Sequence, residues 1–226
     1  LVDGNSLIFR AYHATAYTGE ILRTSKGVPT NALLAFIHMF KKILDQNPTH
    51  IAVTFDLKEP TFRHKVYSEY KAGRKAGDPE LFVQFDSIKQ YLKLQGVACL
   101  EKSGYESDDL IGSIAKNSPE IDETIIYSSD RDLLQLVDFK TTLCLIKKGM
   151  GEIVNYTPET LLAEFGLKPL QLIDLKALQG DTSDNIKGVS GIGKVSALKL
   201  IQTYGSIANL YLHIDELKGA QKTKLE

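Results

Sequence analysis

Cysteine is scarce: Cys99 and Cys144 are the only two in 226 residues. They are too few for a disulfide framework or a thiolate metal site, and they fit a reducing compartment. Long apolar runs are missing too. None approaches the roughly 20 residues of a membrane helix, and no secretory core opens the chain. Low-complexity tracts are absent, as is any Pro- or Gly-rich linker that would separate domains. Neither sign of charge is in excess, since 27 basic residues stand against 28 acidic ones. Taken alone, that balance argues against a polyanion partner. What is present is ordinary for a globular chain, 43% hydrophobic and 24% charged. Disorder, collagen and coiled coil are thereby excluded as overall classes. At 25.1 kDa, folding should bury about 70% of the unfolded surface, enough for a real core. The first residues are Leu1-Val2 without Met, so a preceding segment is expected.

Short apolar runs alternate with helical patterns over two-thirds of the chain. Ile51–Phe55, Thr124–Ser128 and Thr142–Ile146 are β-rich and of strand length, Gly96–Leu100 is weaker, and Leu1-Val2 resembles the end of another strand. Helical stripes run through Leu33, Phe36, Ile37 and Phe40, through Phe85, Ile88 and Leu92, and through Leu110, Ile111 and Ile114. The expected fold is therefore α/β, a mostly parallel central sheet flanked by helices. After about residue 157 strand signals stop and helices take over. We divide the chain into an α/β core over 1–156, which contains a basic segment at 57–80, and a helical extension over 157–226.

Three strand-like runs end in aspartate: Asp3 after Leu1-Val2, Asp56 after Ile51–Phe55, and Asp130 after Thr124–Ser129, with Asp132 two residues on. One such aspartate is usually a turn former or a helix cap. Three together are harder to explain that way. Parallel neighbours lie ~5 Å apart, so the strand ends would gather these carboxylates. Unpaired acids at that spacing repel until one protonates or a cation relieves them. A hard divalent ion prefers such oxygen ligands. Gly104-Tyr-Glu-Ser-Asp-Asp109 adds three acids at the start of a helical stretch. Helix geometry aligns Glu106 with Asp109 and not with Asp108. Glu106 and Asp108 share a site only if Glu106 precedes the regular helix. Gly180-Asp-Thr-Ser-Asp184 supplies Asp181 and Asp184. Setting the nine acids of these motifs aside leaves 27 basic residues against 19 acidic ones, a positive remainder suited to nucleic acid.

Two basic features complete the pattern. Lys58, Arg63, Lys65, Lys71, Arg74 and Lys75 crowd the segment after Asp56, interleaved with Tyr67 and Tyr70. A charge run is usually a solvated face, but this one follows a strand-end acid. On a helix, Lys71 and Arg74 would lie one turn apart and clamp a phosphate. Gly188-Val-Ser-Gly-Ile-Gly193 leads into a helix near Lys194, with Lys187 and Lys199 beside it. Gly-x-Gly before a helix is often only a tight turn. Between two helices it is the layout of a helix–hairpin–helix, here placed at 183–205, which holds a DNA backbone on its amide N–H groups without reading sequence.

The motif set resembles the 5′→3′ exonuclease domain of bacterial DNA polymerase I, in the flap endonuclease family. The matches are Leu1-Val-Asp-Gly-Asn5, Arg10-Ala-Tyr-His13, Val53-Thr-Phe-Asp56, Phe62-Arg63, Tyr70-Lys-Ala-Gly-Arg74, Gly104–Asp109, Ser129-Asp-Arg-Asp132, Gly180–Asn185 and Gly191-Ile-Gly193. The resemblance implies a nuclease core like that of PIN domains, a helical arch over the active site, and a helix–three-turn–helix region on duplex DNA. It implies two Mg²⁺ or Mn²⁺ ions. Asp3, Asp56, Glu106 and Asp108 correspond to the first site, and Asp130, Asp132 and Asp181 to the second, with Asp108 shared. Asp109 and Asp184 would act nearby or through water. Lys71, Arg74 and Arg10 are implied at the scissile phosphate, and Tyr70 stacking on a base or positioning the strand. Arg63, Lys187, Gly191, Gly193, Lys194 and Ser196 are implied as DNA contacts, with K⁺ at the hairpin. The substrates implied are 5′ flaps and nicked or gapped duplexes, cut by a cytoplasmic monomer during primer removal and repair, with a polymerase following in the full-length chain. Lys187 and Ser190 stand where the family commonly has proline. Two alternatives remain: a PIN-type ribonuclease, which gives no reason for the basic segment or the hairpin, and a non-catalytic DNA-binding scaffold, which would be expected to have lost several of these acids.

Overall fold

A computed structural model describes residues 1–16, 21–74, 77–148 and 152–226. Strand β1 (Val2–Asp3) runs straight into helix α1 (Gly4–Ala16), and α2 (Asn31–Leu44) packs beside it. Next come β2 (Ala52–Thr54), the short helices α3 (Phe62–Val66) and α4 (Pro79–Phe82), α5 (Phe85–Leu94), β3 (Ala98–Leu100), α6 (Ser107–Asn117) and β4 (Thr124–Ser128). A 3-10 turn at Asp132–Leu136 leads to β5 (Thr141–Lys148) and β6 (Glu152–Tyr156). The remainder is α7 (Pro158–Phe165), α8 (Gln171–Gln179), the strands β7 (Gly180–Asp181) and β8 (Ile186–Lys187), α9 (Lys194–Tyr204), α10 (Ile207–Leu212) and α11 (Ala220–Leu225).

The main sheet has the order β3-β2-β1-β4-β5-β6. Its first five strands are parallel, and β6 closes one edge antiparallel to β5. The chain steps outward from β1 to β2 and β3, then returns to the other side of β1 with β4. Strand order therefore reverses beside β1, where open α/β sheets present their ligand crevice. Asp3 ends β1 at that point.

Sequence dictates the close join of β1 to α1. A Cβ on Gly4 would lie 2.5 Å from the Phe55 ring and 2.7 Å from the Thr54 carbonyl. Only glycine lets α1 start this close to β2. The stripe predicted through Leu33 and Phe40 forms α2, which buries Phe36, Phe40 and Ile43 against α1 and α5. Thr157 caps α7 by accepting the N–H of Thr160, Pro158 supplies its first turn, and Gly166 ends it at φ 66°.

Among the described residues the buried apolar side chains form two clusters. One lies around α1, α2, α5 and β2. The other joins Ile111, Ile126 and Leu143 beneath the sheet to Leu161, Leu175, Leu200 and Leu210 of the C-terminal helices. The helical extension thus shares its core with the sheet.

Two expectations need correction. Strands do not stop at residue 157, because β7 and β8 pair antiparallel across Asp181 and Ile186. Gly180 and Gly188 make this possible: a Cβ on Gly180 would sit 2.3 Å from the Gly188 nitrogen. The basic segment is not one helix. It holds α3 and then a series of turns, in which Lys71 takes φ 58°. Lys75 lies outside the described residues.

Candidate active site

Two of the strand-end acids, Asp3 and Asp56, accept helix N-terminal N–H groups. Asp3 Oδ1 accepts the Ser6 N–H at 3.0 Å at the start of α1, and Oδ2 accepts the Ser128 hydroxyl at 2.7 Å. Burial raises its pKa to about 6, helped by repulsion from Asp56 and Asp130. Asp56 Oδ1 accepts the Ser107 N–H at 2.7 Å, which caps α6, while Asn5 Nδ2 donates to its Oδ2 at 3.0 Å. Burial raises its pKa too, against the pull of Lys71.

Helix α6 begins at Ser107, and Glu106 before it is extended, with φ −97° and ψ 162°. The geometric condition for Glu106 and Asp108 to share a site is therefore met. Asp108 is the centre of the cluster. Burial, then repulsion from Asp3, Asp130, Asp56 and Glu106, raises its pKa to about 8. Carboxylates from β1, the end of β2, α6 and the end of β4 thus converge, as parallel strand ends require.

A cavity of about 1250 Å³ is lined by Asp3, Asp56, Glu106, Asp108 and Asp130, with Arg10, Lys71 and Arg74. A neighbouring cavity of about 820 Å³ is lined by Asp132, Asp181 and Asp184, with Lys176 and Lys194. Asp108, Asp130 and Glu106 face both. The donor set is all carboxylate oxygen, the chemistry a hard divalent cation takes. Among the described residues no three acidic, His or Cys side chains are grouped closely enough to enclose a metal as they stand. The reason is visible in their partners. Lys71 Nζ lies 2.7 Å from Glu106 Oε1, Arg74 Nη2 2.6 Å from Asp184 Oδ1, and Lys176 Nζ 2.8 Å from Asp132 and 2.5 Å from Asp181. The chain's own cations relieve the repulsion at Glu106, Asp132, Asp181 and Asp184, while Asp3, Asp108 and Asp130 have no cation among the described ion pairs and still repel one another. Although burial pushes it up, the Asp181 carboxyl is held at about 2 by Lys176 and Ser183.

Several residues lie elsewhere than the sequence suggested. Tyr70 is 5% exposed, and its hydroxyl donates to Glu106 Oε2 and Asp184 Oδ2, each at 3.0 Å. Its ring is not presented for stacking. Arg63 lines the second cavity, and its guanidinium takes both Asp109 oxygens at 2.8 Å each. That fork occupies Asp109 and holds its pKa down despite burial. Lys71 and Arg74 follow one another around a turn, where the Arg74 N–H donates to the Lys71 carbonyl. Arg10 donates through Nη1 to the Lys147 carbonyl at 2.5 Å, and its buried Nε has no partner among the described residues. Lys187, Gly191 and Gly193 lie between α8 and α9, and Lys194 and Ser196 in the first turn of α9; all are exposed except Ser196, which is half-buried. Of these five only Lys194 lines a described cavity.

Sequence reasoning missed Asn5, Ser107 and Ser128, which orient Asp56 and Asp3, and Lys176. Asn5 and Ser107 lie inside the same short motifs as Asp3 and Asp108, where their closeness to an acid is a legible signal. Lys176 gave no signal, because nothing in a helical stretch states which acids its side chain reaches.

Two family models match: the 5′-3′ exonuclease N-terminal resolvase-like domain over residues 1–166 and the 5′-3′ exonuclease C-terminal SAM fold over residues 167–226. DNA polymerase I of Bacillus subtilis (strain 168) is 43% identical over all of this chain, which spans 26% of that relative. The 5′-3′ exonuclease of the same organism is 39% identical, with this chain covering 77% of it. Among solved structures, bacteriophage T5 flap endonuclease in a pseudo-enzyme–product complex with DNA and metal ions has a TM-score of 0.73 at 23% identity, over 99% of this chain and 80% of that one.

Proposed function

Because the chain belongs to the 5′-3′ exonuclease family, we propose that it is a divalent-metal-dependent 5′→3′ exonuclease and flap endonuclease. It would cut DNA at 5′ flaps, nicks and gaps during primer removal and repair, as a cytoplasmic protein. One copy suffices, since every acid of the site comes from a single chain. The chain spans about a quarter of the DNA polymerase I relatives, and a polymerase following it in a longer protein is part of this proposal. The observation that carries the reading is the position of Asp108, recessed between two carboxylate-lined cavities and repelled from four sides.

Asp3, Asp56, Glu106 and Asp108 would hold one divalent ion and Asp130, Asp132 and Asp181 the other, with Asp108 between them. Mg²⁺ and Mn²⁺ fit this set, because such ions keep several waters and need few direct carboxylates. When bound they supply the Lewis acidity for hydrolysing a phosphodiester. The protein's own part is electrostatic. Lys71, Arg74 and Lys176, now on carboxylates, are freed for phosphate oxygens when those carboxylates take other partners. Arg10 adds charge to the same cavity wall. Asn5, Ser107 and Ser128 keep the acids aimed, and Arg63 keeps Asp109 from competing. The hairpin glycines and Lys194 would hold the duplex backbone through N–H groups and charge. Potassium would sit at the hairpin carbonyls, where the Gly191 carbonyl now takes Lys224 Nζ at 3.0 Å.

The test is cleavage of end-labelled 5′-flap and nicked duplexes while Mg²⁺ is titrated. The expected result is metal-dependent release from the 5′ end, abolished by EDTA. Preference for structured RNA would favour the ribonuclease reading, and metal-independent binding without cleavage the scaffold reading.

A further inference from the structure

Residues 67–74 carry Tyr70, Lys71 and Arg74, yet no regular element holds them. They are held by the loop between β7 and β8. The Lys71 N–H donates to the Asp184 carbonyl at 3.0 Å. Tyr67 Oη donates to the Asn185 carbonyl at 3.2 Å, and Asn185 Nδ2 donates to the Glu69 carbonyl at 2.8 Å. Arg74 Nε reaches the Ser183 carbonyl at 3.4 Å. The two segments are more than a hundred residues apart in sequence, and each contributes one left-handed residue at φ 58°, Lys71 and Asn185. Asparagine tolerates that conformation. Lysine does not favour it, and it persists only where the surroundings over-determine it.

We propose that Asn185 is a positioning residue for Lys71, fixing the turn that carries it and coupling that turn to the duplex-facing hairpin. Its amide clamps the Glu69 carbonyl two residues before Lys71, while the neighbouring Asp184 carbonyl takes the Lys71 N–H. Three residues beyond Asn185, Gly188 of the hairpin packs against Gly180. A shift of the hairpin on duplex is therefore passed through 183–185 to the Lys71 turn by direct hydrogen bonds. Asn185 touches no reacting atom and acts through Lys71.

The proposal rests on the nuclease reading for its effect on rate, and on geometry alone for its effect on the turn. Two variants of the full chain test it. Asn185→Gly keeps the left-handed backbone and removes the amide; Asn185→Asp keeps the shape and removes the donor. Both should speed hydrogen exchange at residues 67–74 in the DNA-free chain. Both should lower the single-turnover rate on a 5′ flap by about 10-fold, a cost ordinary for a misplaced group, without changing duplex affinity in Ca²⁺. In a Lys71→Ala background neither should cost anything further. Unchanged exchange, an unchanged rate, or a full additional loss on Lys71→Ala overturns the proposal. If the unaltered chain cuts no flap, the nuclease reading fails, and the exchange measurement still decides whether Asn185 fixes the turn.

Discussion

Lys176 Nζ lies 2.5 Å from Asp181 Oδ2 and turns the same ammonium group to Asp132 Oδ1 at 2.8 Å. A resident cation thus spans two acids from separate elements, and a divalent ion binding there has to displace it. Lys176→Met should tighten Mn²⁺ binding at the weaker of the two proposed sites by about 5-fold, the scale of a partly exposed ion pair. Lys176→Arg should leave it near the original value. Calorimetry on the DNA-free chain reads this, and weaker binding by Lys176→Met would make the lysine a scaffold rather than a competitor.

Asp108 is expected to cost the metal-free protein stability as pH rises. Its pKa rises from 3.8 to about 8 and that of Asp3 to about 6, so folding favours their protonated forms. That stability is present in full below the ordinary carboxylate range and is lost as pH rises toward 8. In EDTA, thermal stability should fall between pH 5 and pH 9. Asp108→Asn should raise Tm at pH 8.5 by about 3 °C or more and flatten the profile. A variant with lower Tm would contradict the repulsion. Added Mg²⁺ should stabilise the original protein more than the variant.

Asp130→Asn and Asp181→Asn each remove a carboxylate charge while keeping shape. Cleavage in Mg²⁺ should drop by about 100-fold or more, as loss of transition-state charge stabilisation does, with duplex binding in Ca²⁺ intact. Equal turnover by either variant would falsify its assignment as a metal ligand.

Gly4→Ala places a methyl group 2.5 Å from the Phe55 ring and 2.7 Å from a backbone carbonyl. The carbonyl cannot yield as a flexible side chain does. A loss of about 1–3 kcal/mol is expected in urea unfolding. Activity should fall as well, because the same contact sets Asp3 at the head of α1.

Much of this protein is written locally. Alternating apolar runs and stripes state the strands and helices, and acids following those runs state that carboxylates gather where parallel strands end. Helix periodicity alone requires Glu106 to be extended if it shares a site with Asp108, and it is extended. Strand β6 escaped notice because Glu152–Tyr156 is an edge strand whose half-exposed pattern resembles a loop.

Sequence by itself determined the alternation of elements, the positions of the acids, and the glycine turn before α9, since each depends on neighbours within a few residues. Tertiary structure alone decided that β4 returns beside β1, which sets Asp3 near Asp130. It also decided that Tyr70 is buried on carboxylates, that Arg63 grips Asp109, and that Lys176 reaches Asp132, 44 residues away in the chain. Strand order and ion pairing are contacts between residues far apart in the chain. Their geometry exists only after collapse, when repelling carboxylates select whichever cations the packed surface brings within reach.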